Sequence, residues 1–212
     1  MELQSDLIGE TAIDVVQSSC LNSFERIHDE NVYGVVWNRE IPSKVSSLLE
    51  MTEFNHPTSA RFFVPISKIS ERAAQALEVF GLPKCPAQAW LANDIQMLAT
   101  KLGAILSASK LQVRVELVDT DACKKFHRDN VKARLVCTYK GPGTVYGVAR
   151  IGAEPDQINQ ADTGHPVLLK GRLWSKGAET YLLHRSPRIE SAGLSRIVVV
   201  MDEVLNEYQT EL

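Results

Sequence analysis

Residues 111–117 read LQVRVEL, and the reading of this stretch decides the fold class. Successive side chains of a strand point to opposite sides, so Leu111, Val113, Val115 and Leu117 share one face and Gln112, Arg114 and Glu116 the other. Strict alternation of this kind fits a strand and no face of a helix. Similar readings place strands at 133–139, 145–151, 167–170, 179–184 and 196–201. Turn residues separate them: Gly141-Pro142-Gly143, Gly164 to Pro166, Lys176-Gly177 and Ser191 to Gly193. Many short strands at this spacing predict a sandwich or barrel.

Upstream of residue 110 the periodicity changes. Val32 to Trp37 (VYGVVW) reads as a short strand, and Pro42 opens a helix ending near Glu50. Asn55, Pro57 and Thr58 break the chain. A second helix covers Ser67 to Phe80, with Ser67 and Ser70 as candidate caps and Gly81 as its stop. The longest begins at Pro86, where Leu91, Ile95, Leu98, Leu102 and Ile105 recur at steps of four and three and form one apolar face. The expected architecture is α+β: a mainly helical support layer over 1–110, packed on a jelly-roll (double-stranded β-helix, cupin-like) barrel over 111–212.

Composition narrows the function classes. A formal net charge of -3 gives no long-range attraction to nucleic acid or anionic lipid. No apolar run approaches the roughly 18 residues of a spanning helix, and Glu2, Asp6 and Glu10 have the wrong sign for a secretory signal. Cys20, Cys85, Cys123 and Cys137 form no Cys-x-x-Cys pair, which disfavours a zinc knuckle and suits the reducing cytoplasm.

The chemistry gathers at two places. In Phe126-His127-Arg128-Asp129-Asn130, His127 and Asp129 lie two apart on an extended chain and point the same way, with Arg128 facing away. Downstream, His184 ends a strand in YLLHRSP. Two imidazoles and one carboxylate cover one triangular face of an octahedral ion, the arrangement that suits non-haem Fe(II), whereas a closed zinc site wants four protein ligands. Arg196 opens the next strand on the same side as Val198 and Val200, and an inward arginine needs an anion. A dicarboxylate would supply one through a bidentate pair.

His-x-Asp, a distant His and then Arg one strand later resembles the signature of the Fe(II)/2-oxoglutarate-dependent oxygenases, over about residues 111 to 203. The resemblance implies Fe(II) at His127, Asp129 and His184, 2-oxoglutarate at Arg196, O₂ as the second co-substrate, and an unidentified substrate. The runs FHRDNVKARLVCTYKGPGT (126–144) and LHRSP (183–187) are also similar to an uncharacterised bacterial family, domain of unknown function eighteen twenty-six. That resemblance implies a link to zinc-responsive GTPase metallochaperones, and no reaction. The alternative function is therefore a non-catalytic metal-binding accessory protein, with Zn as the alternative metal.

Plainer readings stand beside these. His127 and His184 would then be hydrogen-bonded residues at strand ends. Arg185 and Arg188 compete with Arg196 for the co-substrate or pair with surface carboxylates. Arg134, between Ala133 and Leu135, reads as facing out; Thr138 and Tyr139 read as ordinary strand residues within reach of a ligand; Cys137 reads as a buried, inert thiol. Gly141-Pro142-Gly143 is a turn, lacking the helix and lysine of a phosphate loop. Trp37, Trp90 and Trp174 read as core or partly covered, His28, His56 and His165 as solvated, and Asp202 to Glu211 as a solvated C-terminal helix or tail.

Overall fold

The apolar stripe of residues 91–105 lies on a sheet, as its period requires. A computed structural model describes residues 14–54, 57–121, 123–150, 152–174 and 180–204. Its strands are β1 (Asp14–Ser18), β2 (Val32–Trp37), β3 (Thr58–Pro65), β4 (Lys110–Val118), β5 (Ala133–Lys140), β6 (Val145–Arg150), β7 (Asn159–Gln160), β8 (Val167–Lys170), β9 (Thr180–Arg185) and β10 (Arg196–Glu203). Its α-helices are α1 (Ser43–Met51), α2 (Ile69–Val79) and α3 (Pro86–Leu106).

Two sheets face each other in a jelly roll. The larger has the order β1-β2-β8-β5-β10-β4-β3 and the smaller β7-β6-β9. Val136, Val167, Leu169, Val198 and Val200 from the larger meet Tyr146 and Leu182 from the smaller. The opposite face of the larger sheet carries Leu111, Val113, Val115, Leu135, Val199 and Met201, which pack with Leu91, Ile95, Leu98 and Leu102 of α3. Each such buried aliphatic side chain contributes about 1.5–3 kcal/mol, so this face holds most of the core energy. Proline at the first turn of α3 fits a position whose N–H has no partner in the helix. Gly81 follows α2 at φ +93, the left-handed geometry that ends a helix on glycine. No helix among the described residues is long and apolar enough to cross a membrane.

Several expectations change. Besides their helices, the described residues before 110 give three strands to the larger sheet, and β3 occupies the stretch where Pro57 and Thr58 suggested a break. Both prolines flanking β3 are tolerable because it is an edge strand. Neither Ser67 nor Ser70 caps α2 with its side chain; instead Gln96 of α3 accepts from the Ser70 backbone N–H at 3.1 Å. Asp202 and Glu203 belong to β10, and Asp202 is buried rather than part of a solvated tail. Residues 205–211 of that expected tail, His56, and the Lys176-Gly177 turn lie outside the described residues. Trp37, Trp90 and Trp174 pack against the core, His28 is exposed, and His165 is half-buried.

Candidate metal centre

His127 and His184 are placed by backbone pairing. Each donates its N–H to the other's carbonyl at 3.0 Å, an antiparallel bridge that sets the two side chains on one side. Their ring centroids are 4.4 Å apart. Asp129, two residues on, turns the same way, while Arg128 points elsewhere and donates to the Gly171 carbonyl at 2.7 Å. Ligand atoms of His127, Asp129 and His184 all lie within 4.8 Å of one another.

The protonation pattern follows from the partners. A carbonyl only accepts, so the His127 Nδ1, 3.0 Å from the Lys125 carbonyl, donates to it, and Nε2 is the nitrogen turned to the cluster. That Nε2 faces Asp129 Oδ1 at 3.7 Å. His184 Nε2 lies 3.1 Å from Asp129 Oδ2 without the alignment of a hydrogen bond, so this buried carboxylate oxygen has no donor. Burial pushes the His184 imidazole down, outweighing the pull of Asp129, and favours its neutral form. Burial would raise the Asp129 carboxyl, but His184, Arg134 and His127 outweigh it and hold the carboxyl below its usual range. Two imidazoles, that of His184 held toward its neutral form, around an under-satisfied carboxylate oxygen are a donor set that a divalent cation fits.

Arg134 is the residue that alternation misplaced. It does not face out. Its Nε and Nη2 donate to Asp202 Oδ1 and Oδ2 at 2.6 and 2.7 Å, and its Nη1 donates to Asp129 Oδ1. Arg134 therefore takes Asp129 Oδ1 and leaves Oδ2 beside His184. The outer face of most sheets is wet, but here it is the barrel interior.

A cavity of about 190 Å³ opens beside the cluster, lined by His127, His184, Arg134, Arg196, Arg114 and Glu116. Val136, Val198 and Val200 form its apolar wall, and Arg185 also borders it. Arg196 is 5% exposed and, among the described residues, donates to hydroxyl oxygens: Thr138 Oγ1 at 2.8 and 3.1 Å and Thr144 Oγ1 at 3.1 Å. Among the described residues no carboxylate lies within ion-pair distance of it, and burial pushes its guanidinium down to about 10. Thr138 thus serves Arg196, whereas Tyr139 points to the helix side and donates to Asp94 Oδ2 at 2.6 Å. Arg185 lies over the Phe126 ring at 5.0 Å, and Arg188 is exposed. Cys137 is buried, with its thiol pushed up to about 11 by burial.

Two solved plant proteins share this fold. The dioxygenase for auxin oxidation from rice aligns with a TM-score of 0.51 at 11% identity, over 92% of this chain and 84% of its own. Dioxygenase for auxin oxidation 1 from Arabidopsis thaliana, in its 2-oxoglutarate binary complex, aligns with a TM-score of 0.51 at 12% identity, over 90% of this chain and 92% of its own. At such identity the likeness concerns the fold alone. No curated protein matches the sequence. The sequence model of one family covers residues 18–202, and the chain belongs to that family, described as protein of unknown function (DUF1826).

Proposed function

We propose that the protein is an Fe(II)- and 2-oxoglutarate-dependent oxygenase of the hydroxylase type. The observation that carries this reading is a single cavity with His127 and His184 of the three-residue cluster on its wall and, buried in the same wall, the Arg196 guanidinium, which has no carboxylate partner among the described residues. In this reading residues 111–212 form the metal-binding core and 1–110 its support. His127, Asp129 and His184 would hold the ion, a ligand set that can leave positions for co-substrate and O₂. Fe(II) would supply the centre at which O₂ takes two electrons from the oxidative decarboxylation of 2-oxoglutarate to succinate and CO₂ and two from the substrate C–H bond, one oxygen atom going to succinate and one to the hydroxylated product. Zn at the same ligands would bind without that redox chemistry.

The protein's own groups do the rest. The Lys125 carbonyl fixes the His127 ring by accepting from Nδ1, and Arg134 holds Asp129 by Oδ1, so that Oδ2 would be the oxygen free for a metal ion. Arg196 receives the far carboxylate of 2-oxoglutarate as a charge-assisted fork. Thr138 and Thr144 hold that fork in place. The valine wall keeps water away from the reacting end.

The test is 2-oxoglutarate turnover in air. Fe(II)-loaded protein is expected to release succinate slowly even without its own substrate, and His127→Ala, Asp129→Ala and His184→Ala are each expected to abolish both succinate release and stoichiometric metal binding while leaving the fold intact. Metal binding without any 2-oxoglutarate affinity or succinate would favour the accessory metal-binding reading instead.

A further inference from the structure

The cavity holds more positive charge than one dicarboxylate can meet. Among the described side chains that line it, four are arginines and one, Glu116, is a carboxylate. Three arginines have assignments. Arg134 is taken up by Asp129 and Asp202. Arg196 awaits the dicarboxylate of the proposed function. Arg185 rests on Phe126 and donates to the Ser186 carbonyl at 3.1 Å.

Arg114 is different. Its Nη1 touches Glu116 Oε1 at 3.3 Å, yet its Nε is buried with no hydrogen-bond partner. A buried, unmet N–H on a charged group is costly unless a ligand completes it. Strand register adds a second sign. Arg61 of β3 stands directly opposite Arg114 of β4, on the same face. Like charges so paired across two strands are unfavourable without an anion to share.

Arg114 also stands apart from Arg196 along the strands. Arg196 pairs with Val118, and Arg114 lies four residues before Val118 on β4. At about 3.3 Å per residue the two backbone positions are roughly 13 Å apart along the strand. Val198 and Glu116, opposite each other across β10 and β4, occupy the row between them.

We propose that the substrate of this cavity is an organic acid whose oxyanion group, carboxylate or phosphonate-like, is received by Arg114, separately from the dicarboxylate at Arg196. This rests on the oxygenase reading for the word substrate, but the anion site itself does not. The valine wall between the two cations would take the acid's apolar part and bring its carbon atoms toward the His127, Asp129, His184 cluster.

The experiment titrates the full-length protein with butyrate, propylphosphonate and the neutral isostere butyramide, followed by broadening of their NMR lines. It is run with Zn(II) alone and with Zn(II) plus saturating 2-oxoglutarate, so that no turnover intervenes. Both acids are expected to bind under both conditions and butyramide at least about tenfold more weakly, since a charged fork loses that much with a neutral partner. The tighter of the two acids identifies the headgroup class. Arg114→Gln is expected to lose acid binding about tenfold or more, with 2-oxoglutarate affinity within about twofold of wild type. Glu116→Gln, which removes the competing carboxylate, is expected to tighten acid binding, and it guards against a fold defect in the arginine variant. Acid binding unchanged in both variants, butyramide equal to butyrate, or acids that compete fully with 2-oxoglutarate would each overturn the proposal. Arg114-dependent acid binding in a protein that ignores 2-oxoglutarate would sink the oxygenase reading and leave the anion site standing.

Discussion

Arg39 and Arg196 are buried on opposite faces of the same sheet and are partnered in opposite ways. On the helix side, Arg39 donates to both carboxylate oxygens of Asp94 at 2.5 and 2.6 Å and to the Gly164 carbonyl at 2.9 Å, with its plane 4.5 Å from Trp37. Tyr139 closes the network on Asp94. Burial alone would lower Arg39, but Asp94 more than offsets it and holds the guanidinium above its ordinary value. On the cavity side, Arg196 has hydroxyls and no carboxylate, and its guanidinium falls. One arginine completes a structure; the other, in the proposed function, receives a ligand.

The largest effect should come from breaking the satisfied side. Arg39→Met leaves Asp94 charged and buried, and is expected to cost about 3–5 kcal/mol in urea unfolding. A loss below about 1 kcal/mol would mean that the network is not the structural tie described here. On the other side, Arg196→Met removes a buried charge that has no ionic partner. Stability is expected to change by less than about 1 kcal/mol, or to rise. Its 2-oxoglutarate affinity is expected to fall about ten- to a hundredfold, with metal affinity near wild type. Arg196→Lys should recover only part, because an ammonium cannot reproduce the planar fork.

The pH dependence sharpens the contrast further. Burial holds the His184 imidazole below its ordinary value of about 6.5. Between its folded pKa and 6.5 the unfolded chain binds the extra proton, so stability of the metal-free protein should rise with pH there and be lost as pH falls. The slope from this one group is at most about 1.4 kcal/mol per pH unit. Asp129, held below the usual carboxylate range, adds a second loss in the same direction at lower pH. His184→Asn should remove the upper limb of the acid transition; an unchanged midpoint and shape would contradict the assignment.

The smallest effect concerns the thiols. Exposed Cys20 and Cys123 should react with a thiol reagent in the native protein, while Cys137 on the helix side stays protected. All four should titrate after denaturation without reductant, and missing thiols would speak against a reducing compartment.

Much of this contrast was legible in sequence, though not its meaning. The alternation in LQVRVEL gave β4 and its two faces, and the α3 stripe gave the partner of one face. Alternation does not say which polar face is wet. In an open sheet Arg134 would meet solvent, whereas closing the jelly roll turns its side inward onto Asp129 and Asp202. β3 was hidden by Pro57 and Pro65, which mark a break in a central strand but are tolerated at an edge. Asp94 carried a readable sign: a carboxylate between Leu91 and Ile95, on the buried face of α3. Its partner Arg39 lies 55 residues away with no local pattern, so only the fold joins them. The His127, Asp129, His184 set and the inward Arg196 followed from residue type, spacing and strand period, because two-residue steps fix a side chain's direction.

The central claim is that one cavity takes both an ion at His127, Asp129 and His184 and a dicarboxylate at Arg196. The most direct measurement is the anaerobic visible spectrum of the protein with Fe(II) as 2-oxoglutarate is added. The expected result is the weak charge-transfer band of the Fe(II)–2-oxoglutarate chelate, saturating at one equivalent in the wild type, absent in His184→Ala, and needing about ten- to a hundredfold more 2-oxoglutarate in Arg196→Met. Wild-type protein that binds Fe(II) stoichiometrically and gives no band, or an Arg196→Met titration that overlays the wild type, would contradict it.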